Sequence, residues 1–300
     1  MYDIIIVGAG PAGLTSAIYA RRANKSVLVL EGKSYGGQII NTLNIENYPA
    51  LMHVDGFSLA DKMYNQAKEL GAEIVFEKVV EIKNGKTKKV ITNKKEYKCK
   101  AIILATGCDN RKLGLDNESN LIGKGVSYCA TCDGAFYKDK KVAVVGGGNT
   151  ALEDALYLSD IASTVYLIHR RDTFRGDEKT VNLLKKKDNV KIIYNSNVTK
   201  IIGDDKLEKI EVTNTNGEKN IFIVDGLFVA IGRIPQTELF KNIIKLDENG
   251  YIIAKENCYT NLKGIFVAGD VRKKNVRQLV TAVSDGAIAA TEAINYLMNR

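Results

Sequence analysis

The chain has 300 residues, is 45% hydrophobic and 26% charged, and carries a formal net charge of +8. That is an ordinary globular composition, with length enough for two cores. No apolar run approaches the roughly 20 residues a membrane-spanning helix needs, and an odd count of 5 cysteines argues against a secreted disulfide framework.

Met1-Tyr2-Asp3 leads straight into Ile4-Ile5-Ile6-Val7, with no basic leader or cleavage site, so a cytoplasmic location is expected. The apolar run reads as a strand buried on both faces of a parallel sheet. It ends in Gly8-Ala9-Gly10-Pro11-Ala12-Gly13, after which Leu14, Ala17, Ile18 and Ala20 recur at helical spacing. The next strand, Val27-Leu28-Val29-Leu30, closes on Glu31. Strand, Gly-x-Gly-x-x-Gly, helix, strand and acidic residue together form a dinucleotide-binding fingerprint. Its glycines admit a pyrophosphate to the helix N-terminus, and Glu31 can accept from a ribose hydroxyl.

Gly36-Gly37-Gln38 and Glu46-Asn47-Tyr48-Pro49 read as loops. Residues 57–70 predict an amphipathic helix with Phe57, Leu59, Met63, Ala67 and Leu70 on one face. Short strands are expected near Ile74-Val75-Phe76 and Val79-Val80, then a polar hairpin region over Lys83 to Lys100 turning at Asn84-Gly85. Ala101 to Gly107 is a further buried strand ending in glycine.

Val142-Ala143-Val144-Val145 and Gly146-Gly147-Gly148-Asn149-Thr150-Ala151 repeat the first fingerprint without gaps. Aligning Gly8 with Gly146 sets His169 opposite Glu31, and Arg170, Arg171 and Arg175 follow. An acidic residue at that point favours a free 2′-hydroxyl, whereas arginines offer bidentate donors to a 2′-phosphate. The first unit is therefore expected to hold FAD or NAD and the second NADPH; an exposed basic loop is the plainer reading of His169-Arg170-Arg171. Residues 190–224 read as antiparallel strands turning at Asn216-Gly217. Leu227 to Arg233 is expected to close the second domain, and Ile265 to Asp270 is a further such strand with Asp270 at its carboxyl end. A final helix over about 278–297 belongs against the first domain. The expected fold class is α/β, with two Rossmann-like dinucleotide-binding domains, one inserted into the other.

Between the two fingerprints lies Cys129-Ala130-Thr131-Cys132-Asp133. Two thiols so spaced can close a disulfide, and a thiol there can be an active nucleophile. Half of a zinc site shared between two chains is the alternative. Cys99, Cys108 and Cys258 match no redox pattern. The clusters Lys94-Lys95, Lys185-Lys186-Lys187 and Lys273-Lys274 lack aromatic interleaving and read as solvated surface, so no nucleic acid is expected.

With these residues collected, the chain resembles the low-molecular-weight, bacterial-type thioredoxin reductases from end to end. The resemblance runs through Gly8 to Gly13, Gly36-Gly37-Gln38, Glu46 to Pro49, Ala105-Thr106-Gly107, Cys129 to Gly134, Gly146 to Ala151, His169 to Arg175, Ala268-Gly269-Asp270 and Arg277-Gln278. It implies a pyridine nucleotide-disulfide oxidoreductase fold, with an FAD domain at 1–110 and 238–300 and an inserted NADPH domain at 111–237. FAD would lie on Gly8, Gly10, Pro11, Ala12, Gly13, Glu31, Gly37, Gln38, Asn47, Asp270, Arg277, Gln278 and Leu279. NADPH would lie on Gly148, Asn149, Thr150, His169, Arg170, Arg171 and Arg175. Electrons would pass from NADPH through FAD to the Cys129–Cys132 disulfide and on to oxidised thioredoxin. Cys132 would face the flavin, Cys129 would attack the partner disulfide, and Asp133 would move the proton; a turn or cap is the bland role for Asp133. No metal and no membrane are implied, and a homodimer is. A reductase of another thioredoxin-like or peroxiredoxin-type partner, using the same relay, is the alternative. The dithiol and the NADPH turn sit on one domain and both must visit the other's flavin, so two domain orientations are expected, hinged near 109–111 and 236–238.

Overall fold

A computed structural model describes residues 1–42 and 44–299. The chain divides into two units, Met1–Asp109 with Ile234–Arg300, and Asn110–Arg233. In chain order the elements are β1 (Tyr2–Val7), α1 (Pro11–Arg22), β2 (Val27–Glu31), α2 (Gly56–Glu69), β3 (Glu73–Phe76), β4 (Val79–Lys83), β5 (Lys88–Thr92), β6 (Glu96–Leu104) and β7 (Cys108–Asn110). There follow β8 (Val126–Ser127), α3 (Ala130–Asp133), β9 (Lys141–Val145), α4 (Asn149–Ser159), β10 (Thr164–Ile168), α5 (Glu178–Leu184) and β11 (Val190–Ile193). Then come β12 (Ser196–Ile202), β13 (Lys209–Asn214), β14 (Lys219–Ile223), β15 (Gly226–Val229), β16 (Arg233–Pro235), β17 (Ile265–Val267) and α6 (Leu279–Met298).

Each unit is built on a parallel sheet. In the first the order is β3-β2-β1-β6, and β17 joins the far side of β6. In the second it is β11-β10-β9-β15-β8. The central strands are apolar throughout because each face meets a core. Ile4 and Ile6 pack with Leu14, Ala17 and Ala289 on one side, while Ile5 and Val7 pack with Val79, Phe240 and Val271 on the other. In the second unit Val142 and Val144 join the α4 cluster, and Ala143 and Val145 face Val198, Ile210 and Leu227. Strand alternation accounts for both divisions. The residues of β6 do double service: Glu96 to Cys99 pair antiparallel with β5, and Ile102 to Leu104 pair parallel with β17.

The structure corrects several details. Val190–Ile193 is not part of an antiparallel run; β11 is a parallel edge strand beside β10, and only β12, β13 and β14 form the antiparallel sheet. An isolated polar-flanked strand carries no sign of its partner's direction, and the pairing is decided by distant residues. Phe57 leaves the expected helix face and is exposed, whereas Leu59 and Ala67 are buried. At about 100° per residue, Leu59, Met63, Ala67 and Leu70 fall within one arc and Phe57 lies outside it, about 120° from its centre. Gly37–Asn41 is a 3-10 helix rather than a loop. Gln236 and Thr237 belong with the first unit rather than the inserted domain. Gln236 donates its N–H to the Gly107 carbonyl at 3.0 Å and accepts from the Thr106 hydroxyl at 2.7 Å.

Candidate active site

The first cradle follows β1. Gly8 has φ +106°, and a Cβ there would stand 2.4 Å from the Ala105 carbonyl oxygen; a Cβ on Gly13 would stand 1.9 Å from that of Gly8. Only bare backbone lets β1, α1 and the end of β6 meet this closely. Pro11 occupies the first turn of α1 after Gly10, and no side chain caps the helix. Gly37, at φ +59°, lies with its would-be Cβ 3.4 Å from the Gly10 Cα. Glu31 at the end of β2 accepts the N–H of Ala9 at 2.8 Å and of Lys33 at 2.8 Å, so its carboxylate is fixed at the mouth of the turn.

Distant segments of the same unit carry the other candidate residues. Asn47 donates to the Gln278 side chain at 3.3 Å. Gln38 donates to Asp109 at 3.1 Å. Gln278 and Thr281 form a capping box at the start of α6, with Leu279 the first helical residue. The Arg277 guanidinium lies 3.9 Å over the Tyr251 ring and donates to the Asp270 carbonyl at 3.3 Å. Asp270, just past β17, has Lys274 Nζ 3.7 Å from its Oδ1.

Beneath Asp270 is a charge cluster that motif reading missed. The buried Asp285 carboxylate accepts from Arg272 Nη2 at 2.9 Å, Arg272 Nε at 3.1 Å, Lys274 Nζ at 3.1 Å and the Gly269 N–H at 3.0 Å. The signal was present in the sequence: an aspartate within the largely apolar helix α6. A buried carboxylate requires partners, and here they fix the turn that presents Asp270. Replacing Asp285 by Asn leaves two buried cations short of a counter-charge. The expected loss is about 3 kcal/mol of stability, read as a lowered thermal midpoint; an unchanged midpoint would refute it.

The second cradle follows β9. α4 starts on Gly148 with no side-chain cap, followed by Asn149 and Thr150. Asn149 Oδ1 accepts instead from the Asp177 N–H at 2.7 Å. The contrast with other helices is informative. α2 and α5 are capped by Asp55 and Asp177, and α6 by Gln278. The two helices that begin uncapped after a glycine turn are α1 and α4, which leaves their first N–H groups for an anion.

His169 takes an unexpected position. It is 5% exposed and turned inward, and a Cβ on Gly147 would stand 2.0 Å from its ring. Its Nε2 donates to the Thr173 carbonyl at 2.9 Å, and the ring stacks on Phe174. Burial pushes its pKa below the usual histidine value, so it is neutral at pH 7. It braces the glycine turn while Arg170, Arg171 and Arg175 stay exposed beside it. The Arg175 N–H is tied to the Gly147 carbonyl at 2.8 Å.

On the same unit, Cys129 and Cys132 are joined as a disulfide with Cα atoms 5.3 Å apart. Cys99, Cys108 and Cys258 are buried thiols outside any disulfide. Asp133 closes the α3 turn. Burial pushes its carboxyl up, partly opposed by the hydrogen bond it accepts from Ser127 Oγ at 2.6 Å. Among the described residues no group of side chains could hold a metal ion, and no helix is long and apolar enough to cross a membrane.

Two dinucleotide-type cradles and a disulfide between cysteines three residues apart define an oxidoreductase that couples a nucleotide cofactor to thiol chemistry. The model of the family described as pyridine nucleotide-disulphide oxidoreductase matches residues 2–286. A Listeria monocytogenes thioredoxin reductase is 45% identical over 302 residues, covering 99% of this chain and 94% of its own length. The thioredoxin reductase of Streptococcus pyogenes superimposes with a TM-score of 0.96 at 41% identity, covering 100% of this chain and 99% of that one. A Lactococcus lactis thioredoxin reductase in its FR conformation, 40% identical and covered 100% both ways, gives 0.69. The chain belongs to the pyridine nucleotide-disulphide oxidoreductases and, within them, to the thioredoxin reductases. Its cofactors are those of the family, FAD and NADPH, and the open helix starts and glycine cradles suit their pyrophosphates.

Proposed function

We propose that the protein is a cytoplasmic, homodimeric NADPH-dependent thioredoxin-disulfide reductase. The observation that carries this reading is the closed Cys129–Cys132 disulfide, set beside a part-buried carboxylic acid on the unit that holds the second nucleotide turn. The first cradle, from Gly8 to Gly13 with Glu31, Gly37, Gln38, Asn47, Asp270, Arg277, Gln278 and Leu279, would hold FAD. Gly148, Asn149 and Thr150 would hold the NADPH pyrophosphate, and Arg170, Arg171 and Arg175 its 2′-phosphate. When bound, FAD supplies the two-electron relay between nicotinamide and disulfide. Cys129, once a thiolate, attacks the disulfide of thioredoxin, and Cys132 completes the exchange by displacing it. Asp133 gives a proton to the leaving thiolate and takes one back.

The division of labour between units supports a moving relay. The dithiol and the NADPH turn share one unit, and the FAD cradle is on the other. Two relatives of nearly equal identity, at TM-scores of 0.96 and 0.69 to this chain, differ in overall conformation. The deciding experiment mixes purified yellow protein with NADPH, thioredoxin and a thiol reporter, with NADH in parallel. Thioredoxin-dependent turnover with NADPH, and little with NADH, is expected. Oxidation of NADPH that is indifferent to thioredoxin would overturn the reading.

A further inference from the structure

The strand before the dithiol, Val126–Ser127, ends in a hydroxyl that motif reading passed over. Ser127 is 4% exposed. Its Oγ accepts the N–H of Cys129 at 3.1 Å and donates to Asp133 Oδ2 at 2.6 Å. A second acceptor, the Cys129 carbonyl, lies 3.4 Å away. That carbonyl also accepts the N–H groups of Cys132 at 3.2 Å and Asp133 at 3.1 Å, which make the turn holding the dithiol. One hydroxyl hydrogen thus faces two acceptors, and one of them is the acid of the reaction.

We propose that Ser127 is a positioning residue for proton transfer at the dithiol, its hydroxyl changing acceptor from Asp133 to the Cys129 carbonyl when Asp133 takes a proton. The inference rests on the role assigned to Asp133 above. The hydrogen-bond capacities fit. A hydroxyl has one donor and two acceptor sites. Beside ionised Asp133, Ser127 donates to the carboxylate and accepts from Cys129 N–H. Beside protonated Asp133, it accepts from both the carboxyl O–H and Cys129 N–H, and its own hydrogen turns to the Cys129 carbonyl. When Asp133 protonates a leaving thiolate, the O–H bond of the acid breaks and an S–H bond forms. The carboxylate left behind regains the Ser127 hydrogen bond. No charge is left without a partner at either stage, and the swap reaches the backbone that carries both sulfurs.

The surroundings isolate this pair. Tyr137, on the 3-10 turn that follows, feels the Asp133 charge, but burial pushes it up to about 12, so it stays neutral. Asp225 acts on Tyr137 rather than on Asp133. From α4 the neighbours are Tyr157 and Leu158, packed on Gly134. Burial and the Ser127 hydrogen bond are the causes that set the Asp133 carboxyl, with no charged neighbour contributing.

The test uses the FAD-loaded enzyme and the variants Ser127→Ala, Ser127→Thr, Asp133→Asn and the Ala/Asn double. The infrared C=O stretch of the protonated Asp133 carboxyl, identified by its loss in Asp133→Asn, is titrated against pH. The pH profile of thioredoxin reduction is measured alongside, and FAD content reports folding. A hydrogen bond to the ionised form favours that form, so its removal in Ser127→Ala should move both the stretch and the matching kinetic limb to higher pH. Ser127→Thr, which keeps the hydroxyl, should restore the wild-type position. The double variant should match Asp133→Asn. A Ser127→Ala titration that superimposes on wild type overturns the proposal. If Asp133→Asn keeps the kinetic limb, the assignment of Asp133 fails first, and the inference with it.

Discussion

Changing Arg170, Arg171 and Arg175 together to alanine is expected to raise KM for NADPH on the order of a hundredfold or more while leaving KM for NADH nearly unchanged. Hydrogen bonds to a charged group are the strong ones, and under the proposed 2′-phosphate role the triple change would remove several at once. The backbone fixes where they stand. The Arg171 carbonyl accepts the Asn195 N–H at 3.1 Å, and the Arg175 N–H is held by Gly147 at 2.8 Å. Between them His169 is buried against Phe174 and the glycine turn. The loop is therefore an anchored platform for exposed cations, and the side chains can be removed without disturbing their support. His169 makes the comparison sharper. Its substitution should damage the turn itself and weaken NADPH and NADH alike. Steady-state constants for the two nucleotides separate the roles: a triple variant that still prefers NADPH would refute the 2′-phosphate assignment.

What the sequence made legible follows from the range of each interaction. The glycine turns were readable because strand, turn and helix are consecutive residues, and the steric demand at Gly13 comes from Gly8 within the same repeat unit, although that at Gly8 comes from Ala105 at the end of β6. The paired cysteines were readable because a disulfide between residues three apart is local. Glu31 was assigned to a ribose from its place after β2, and the structure holds it at the turn's mouth through Ala9 and Lys33. Where reading fell short, the deciding partner was distant. His169 aligned with Glu31, yet faces inward because Gly147 leaves room for an imidazole; position in a repeat specifies a backbone, not a rotamer. The Asp285 cluster joins α6 to residues beyond β17, and no spacing rule connects them. Ser127 stood only six residues before Asp133, but the hydrogen bond depends on how β8 enters the α3 turn. The direction of β11 was set by β10, more than twenty residues upstream.

The largest effect should come from the two sulfurs. With Cys129 and Cys132 both replaced by serine, reduction of thioredoxin is expected to fall by at least about 10⁴-fold, since neither hydroxyl can enter a disulfide or act as a thiolate. Reduction of bound FAD by NADPH should persist, because that step uses the glycine cradles and the arginines rather than the sulfurs. The single variants then divide the labour. Thioredoxin carrying one active-site cysteine, activated as a mixed disulfide with a chromogenic thiol, presents one sulfur for attack. Cys132→Ser retains the Cys129 thiol and should capture that sulfur as a stable covalent complex on a non-reducing gel, with no neighbouring thiol to release it. Cys129→Ser should form little complex at the same pH. Cys129 begins the α3 turn, next to exposed Thr131, whose hydroxyl lies 3.5 Å from its sulfur. Cys132 lies within that turn, adjoining Asp133. The opposite pattern, capture by Cys132 and not by Cys129, would exchange the two assignments. Retained turnover in the double variant would remove the dithiol from the pathway altogether, whatever the nucleotide cradles bind.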